Sequence, residues 1–210
     1  MVMRNTILLL LLVPFTMFSQ ATIDSVNQTI YLRQVHEIGL SKQELKKKAD
    51  EWVARSYKNS NYVTRINNAD QILAKGGFSV GADFTAYGTT IYVTRDINYT
   101  LDLQFREGRY KIEIIDLSMS TQGAEIPFYF INMDFEAYRD YSRKVLTETD
   151  IPGAKAALRR LNNDKKAKKD YEGQKNHYDQ IFPQIVDEIE SIDSSLLSYM
   201  KSEIESDDDW

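Results

Sequence analysis

Apolar positions along this chain change their spacing several times, and each change marks an element. Ile7 to Val13 is an unbroken apolar run. Around Ile30, Leu32 and Tyr31, Val35 the apolar residues alternate across two faces, which predicts a strand to about Glu37, ended by Gly39. The period then becomes helical. Ser41 followed by Glu44 is a capping box, and Leu40 with Leu45 supplies a hydrophobic staple. Leu45, Ala49, Trp52, Val53, Ser56 and Tyr57 fall on one stripe, with Lys46, Lys47, Lys48, Asp50, Glu51 and Arg55 around the rest. This predicts an amphipathic helix from Ser41 to about Lys58.

From Tyr62 the pattern is that of strands. Tyr62–Asn67 is short, Asn67-Asn68-Ala69-Asp70 has turn chemistry, and Gln71–Val80 is a second strand interrupted by Gly76-Gly77. Gly81–Gly88 reads as a loop. Thr89–Arg106 is rich in β-branched and aromatic residues and predicts one long strand, bulged near Asp96–Asn98. With Glu107-Gly108 as a two-residue turn, Phe105 faces Tyr110, Leu103 faces Ile112 and Leu101 faces Ile114, so every apolar residue lands on one face. The last strand runs from Arg109 to about Ser118. Ile126–Phe135 is strongly aromatic, Glu136–Leu146 and Ala154–Asp170 have helical composition, and Pro152-Gly153 separates them. Ile181, Ile185, Ile189, Ile192, Leu196 and Met200 mark a final amphipathic helix, with Pro183 in its first turn and Asp207 to Trp210 as a tail.

The start of the chain bears on location. Arg4, the apolar run, the break at Pro14 and Thr16, and the small residues Ser19 and Ala21 form the pattern of a signal peptide cut after Ala21. A cut after Ser19 competes but puts Met17 at the −3 position. A membrane-spanning helix needs about 20 apolar residues, more than this segment offers. The chain holds no cysteine, which excludes disulfides, thiol catalysis, cysteine metal sites and a lipoprotein anchor. A net charge of −5 fits poorly with phosphate-dominated nucleic-acid binding. The expectation is an exported protein, periplasmic, envelope-associated or secreted. Its parts are a leader (1–21), an α/β core (22–118), an insertion that is aromatic and then basic (119–178), a C-terminal helix (179–206) and a tail (207–210).

Three segments carry a resemblance: Gly39-Leu40-Ser41-Lys42-Gln43-Glu44-Leu45, Trp52-Val53-Ala54-Arg55-Ser56-Tyr57 and Phe105-Arg106-Glu107-Gly108-Arg109-Tyr110. Together they resemble an exported domain-of-unknown-function family of Gram-negative bacteria with a TBP-like fold, over Ile30 to about Leu117. The resemblance implies an α+β fold, a mainly antiparallel sheet in β-α-β4-α order with helices on one face. It implies structural roles for Ser41, Glu44, Leu45, Trp52, Tyr57, Phe105, Gly108 and Tyr110. It implies no activity, and the fold label does not imply DNA binding.

No constellation of residues rises to a catalytic, metal or cofactor motif. His36 and His177 are far apart in sequence and read as a strand-end and a helix-flank histidine, although either could act with a carboxylate as an acid–base pair. Asp102 and Glu113 share the sheet face opposite Phe105 and Tyr110, which reads as a solvated face. Gly76-Gly77 and Gly81 lack the ending of a phosphate loop and read as a bulge and a strand end. Lys155 to Lys175 holds eight Lys or Arg against three acids, an exposed basic face that could pack beside the acidic final helix. Phe128, Tyr129, Phe130, Phe135, Tyr138 and Tyr141 crowd one stretch. They either cover the open sheet face as core or expose a patch for a protein or glycan. The functional expectation is a non-catalytic envelope binding or interaction domain without cofactors, its partner an unidentified envelope protein or glycan. The alternatives are an envelope-polymer hydrolase using carboxylates and a small-ligand or glycan-binding module.

Overall fold

A computed structural model describes residues 20–27, 29–57, 64–86, 89–121, 124–127, 133–148 and 153–202. Residues 1–19 of the expected leader and the acidic tail lie outside these residues. Seven strands form the sheet: β1 (Thr22–Asp24), β2 (Thr29–Glu37), β3 (Thr64–Asn67), β4 (Gln71–Ala86), β5 (Thr89–Arg106), β6 (Arg109–Thr121) and β7 (Ala124–Pro127). The helices are α1 (Lys42–Ser56), α2 (Phe135–Glu148), α3 (Ala154–Leu161) and α4 (Asp164–Lys201). The spatial order is β1-β2-β6-β5-β4-β3, every pairing is antiparallel, and β7 continues alongside β6. Within the predicted region the order is strand, helix, four strands, helix.

Alternation decides which face is the core. Leu101, Leu103 and Phe105 on β5 oppose Ile114, Ile112 and Tyr110 on β6, in the predicted register, and all six are buried. Ile30 and Leu32 on β2 and Ile72 and Ala74 on β4 extend this layer. Helices α1 and α4 pack over it with Leu45, Ala49, Trp52, Val53, Ile181, Ile185, Ile189, Leu196 and Met200. The bulge lies opposite Tyr99, where Asn98 pairs with Ser118 and Thr100 with Ile115. Two residues of β6 therefore face one of β5, and Asp116 takes a positive φ of 53°. This inserted residue turns Leu117 and Met119 inward after Ile112 and Ile114.

The predicted cap is present. Ser41 Oγ accepts from Glu44 N–H, and Glu44 Oε2 accepts from Ser41 N–H at 2.9 Å. The Ser41 hydroxyl also donates to Glu44 Oε2 at 2.6 Å, and this bond first, with that from Ser41 N–H after it, holds the Glu44 carboxyl below its usual range. Gly108 ties the hairpin turn to the β2–α1 loop: its carbonyl accepts from Ile38 and Gly39 at 2.9 Å, and its N–H donates to Leu40 at 3.0 Å. Trp52 Nε1 donates to Ser195 Oγ at 3.1 Å, and the Tyr57 hydroxyl meets that of Tyr99 at 2.9 Å. Burial, with Tyr99 beside it, raises the Tyr57 phenol well above its ordinary range.

Several expectations are corrected. Gly81 to Ala86 is not loop but the second half of β4, paired residue by residue with β5. Gly76 marks no bulge. It stands directly across from Tyr99, whose ring lies where a Cβ would be, 2.3 Å from the Cζ atom. Ser56 is exposed, whereas Lys48 is buried. Ala154–Asp170 is not one helix: α3 stops at Leu161, and Asn163 caps a new helix by accepting from Lys166 N–H at 3.1 Å. That helix, α4, runs 38 residues through Pro183. Pro183 is thus mid-helix, on the solvent side, and the boundary drawn between 178 and 179 falls inside a single element. The basic run is split between α3 and the first turns of α4, and its α4 part continues into the acidic segment as one helix rather than packing beside it.

Candidate binding site

The described part of the aromatic stretch does not cover the open sheet face. Phe128, Tyr129 and Phe130 lie outside the described residues. Phe135, Tyr138 and Tyr141 are half-buried on α2, which packs on α3 and α4. The Phe135 and Tyr138 rings flank Tyr171 of α4 at 5.7 and 5.6 Å, and the Tyr171 hydroxyl donates to the Met133 carbonyl at 2.9 Å. Helix α2 buries no residue fully, so its apolar side faces a space that it only partly fills.

That space is a half-open pocket of about 330 Å³ between α2, α3, α4 and the end of β4. Tyr138, Tyr141, Val145 and Leu146 form the α2 wall, Ala157 and Leu161 the α3 wall, and Phe84 and Thr85 the floor. Ser142, Gln174 and the Arg160–Asp170 pair supply the polar groups. Arg160 donates to Asp170 through Nε and through Nη2, the latter at 2.6 Å, so the pair is a bidentate fork without net charge. Its volume lies at the lower end of the range for small-molecule sites, as does its mix of apolar walls with a few polar groups.

The floor is fixed by a close approach. A Cβ on Gly173 of α4 would lie 2.2 Å from the Thr85 carbonyl oxygen, so only glycine lets the helix sit this near β4. One turn on, His177 Nδ1 donates to the Asp83 carbonyl at 3.2 Å, and its ring stands edge-on to Phe84 at 5.5 Å. His177 is fully buried, and its Nε2 has no hydrogen-bond partner among the described residues. Burial lowers its pKa, the Asp83 bond opposes this, and the Arg95 charge adds to it.

Elsewhere the candidate residues are engaged with one another. His36 Nε2 lies 2.8 Å from Asp193 Oδ1 in the interior, so His36 is more than a strand-end histidine. Asp102 and Glu113 are direct cross-strand partners on the open face. Asp102 accepts from Gln71 and Gln104 at 2.8 and 3.0 Å, while Glu113 pairs with Arg33 at 2.9 Å and Lys111 at 2.7 Å. Among the described residues no three His, Cys, Asp or Glu side chains converge as a metal site, and no helix is long and apolar enough to cross a membrane. Phe84, Arg160 and Asp170 went unnoticed in the sequence. The spacing of Arg160 and Asp170 becomes informative only once the helix break at Asn162-Asn163 is known.

A seven-stranded antiparallel sheet with helices on one face and a pocket under a helical cap defines an α+β domain of the TBP-like class. Residues 31–120 match the family described as a domain of unknown function (DUF4468) with TBP-like fold, so the resemblance holds for the sheet and α1. The chain is similar to the crystal structure of a DUF4468 family protein from Bacteroides ovatus ATCC 8483. Identity is 15%, the match covers 50% of this chain and 64% of that one, and the TM-score is 0.38. It is also similar to a TBP-like protein from Parabacteroides distasonis ATCC 8503, with 17% identity, coverage of 50% and 69%, and a TM-score of 0.35. The chain thus spans slightly less than two thirds of the first of these structures. No curated protein matches it. The pocket's helical walls, α2 to α4, lie beyond the matched residues.

Proposed function

We propose that the protein is an exported, non-catalytic binding domain of the cell envelope whose site is the pocket beneath α2. The observation that carries the reading is the meeting of Tyr138 and Tyr141 with Phe84, Ala157 and Leu161 around a space that no side chain of the described residues fills. Apolar surface left open at this cost is the usual mark of a ligand site. The leader pattern in residues 1–21 supports export. Hydrolysis gains no such support, since Asp102 and Glu113 are each tied to neighbouring amides or cations.

The test has two arms. Fractionation of host cells and mass spectrometry of the protein's N-terminus check export; a cytoplasmic protein with residues 1–19 intact would overturn it. Thermal-shift and NMR screening of the processed protein against glycans, peptidoglycan fragments and small amphiphiles checks binding. The expected hit loses its effect in Ala157→Trp, which fills the pocket from α3. Hits that ignore this substitution, or a screen without hits, would remove the pocket from the reading.

A further inference from the structure

We infer that the pocket takes a monomeric anionic amphiphile, a compact apolar body carrying a carboxylate, sulfate or phosphate. This rests on the binding reading above and names its ligand class. The body is specified by the walls, where Val145, Leu146, Leu161 and Phe84 offer no hydrogen bonds. The head is specified by charge. Asp170, the acid that lines the pocket, is paired with Arg160, and Asp164 at the start of α4 is paired with Arg139 at 3.1 Å. The cations of the same two helices are not: Lys155, Arg159, Lys165, Lys166 and Lys169 form no ion pair among the described residues. Between 155 and 169 seven Lys or Arg stand against one acid, Asp164.

Their positions differ in effect. Lys166 is exposed and precedes Asp170, which lines the pocket, by one turn on the same side of α4. Lys155 and Arg159 point away from the lining positions Ala157 and Leu161, so they contribute field rather than contact. A low-dielectric recess set in a positive field draws anions and raises their local concentration. The source named is a free molecule, because the site is a walled recess and, among the described residues, the large exposed apolar side chains lie on strands and the β1–β2 turn and none on α2, α3 or α4, although Ile91 stands across from Phe84 of the pocket floor.

Calorimetry of the processed protein with octanoate, decanoate and decyl maltoside tests the inference. Decanoate is expected to bind about fourfold more tightly per added CH₂ than octanoate and severalfold more tightly than decyl maltoside at low salt. Lys166→Gln should weaken decanoate severalfold and leave the maltoside unchanged. Ala157→Trp, and independently Ser142→Phe from the facing helix, should abolish both, with circular dichroism confirming that each variant folds. Equal binding of the two head groups overturns the anionic class while leaving the pocket a binding site. Binding that survives both filling variants, or binding only to phosphatidylglycerol vesicles, overturns the inference. So does failure of all three probes, and the glycan arm of the wider screen then decides the broader reading separately.

Discussion

His36 Nε2 and Asp193 Oδ1 stand 2.8 Å apart in the protein interior, joining β2 to α4 across 157 residues of sequence. Asp193 is 1% exposed, and Tyr110, the cross-strand neighbour of His36, lies with its ring 5.1 Å from the imidazole. Burial pushes the Tyr110 phenol up, and the Asp193 carboxylate adds to this, so the hydroxyl stays protonated beside the pair. The pair is thus a polar rivet in an apolar layer, and its removal is costly in proportion to its burial. Asp193→Ala, which leaves His36 without a partner, is expected to cost about 3 kcal/mol. The double variant His36→Leu, Asp193→Leu should recover part of that loss, because two apolar groups need no partner. Urea denaturation of the single and double variants measures both terms. A loss below about 1 kcal/mol for Asp193→Ala would mean that this pair does little to hold α4 on β2.

Lys48 makes a second link between the layers. Its ammonium donates to the Ser202 carbonyl at 2.6 Å, at the C-terminal end of α4 where carbonyls lack helical partners. A cation there also meets the negative end of the helix dipole. Lys48→Met keeps the apolar stem and removes the charge. The expected cost is about 1–2 kcal/mol, with fraying of the last turn of α4 visible as faster amide exchange from Tyr199 to Ser202. Unchanged exchange in those residues would contradict the capping role.

Gly173 offers a case in which two effects oppose each other. Alanine is favoured over glycine inside a helix by about 1 kcal/mol, so propensity alone makes Gly173→Ala stabilising. The Thr85 carbonyl 2.2 Å from the added Cβ decides otherwise, since backbone on both sides must move apart. The variant is expected to be destabilised, and the displacement of Thr85 should weaken any ligand of the pocket it lines. A rise in thermal midpoint would show that α4 does not sit this close to β4.

The parts of this fold visible in the sequence are those set by local chemistry. Ser41 with Glu44 marks a helix start because a capping box needs only four residues. The hairpin register follows from one turn, Glu107-Gly108, and an apolar face that must stay together. What could not be read depends on distant partners. Gly81 to Ala86 has only Phe84 and Thr85 as strand formers, yet it pairs throughout because β5 runs long beside it and Tyr92 lies over Gly81, its hydroxyl 2.4 Å from where a Cβ would be. Lys48 looks like a solvent-facing lysine until Ser202, 154 residues away, supplies its acceptor. The pocket is harder still. Tyr138 and Tyr141 stood out as a cluster, but Phe84, Ala157 and Arg160 join them only through the packing of α2 and α3 on α4.

His177 predicts a pH dependence with a definite sign. Its pKa in the folded protein is lowered from 6.5, chiefly by burial. The unfolded chain therefore takes up a proton near pH 6.5 that the folded protein refuses. Above that pH the residue contributes no slope. As the pH falls below it, stability is lost at up to about 1.4 kcal/mol per unit, until the folded pKa is reached. Other groups titrate in the same range, so the comparison must be between slopes. His177→Phe keeps an aromatic ring between Phe84 and Tyr178 and cannot be protonated. Its urea midpoint is expected to fall less steeply than that of the parent between pH 7 and pH 5, even if it starts lower for want of the Asp83 bond. Parallel slopes would mean that the imidazole is not held neutral against the floor of the pocket.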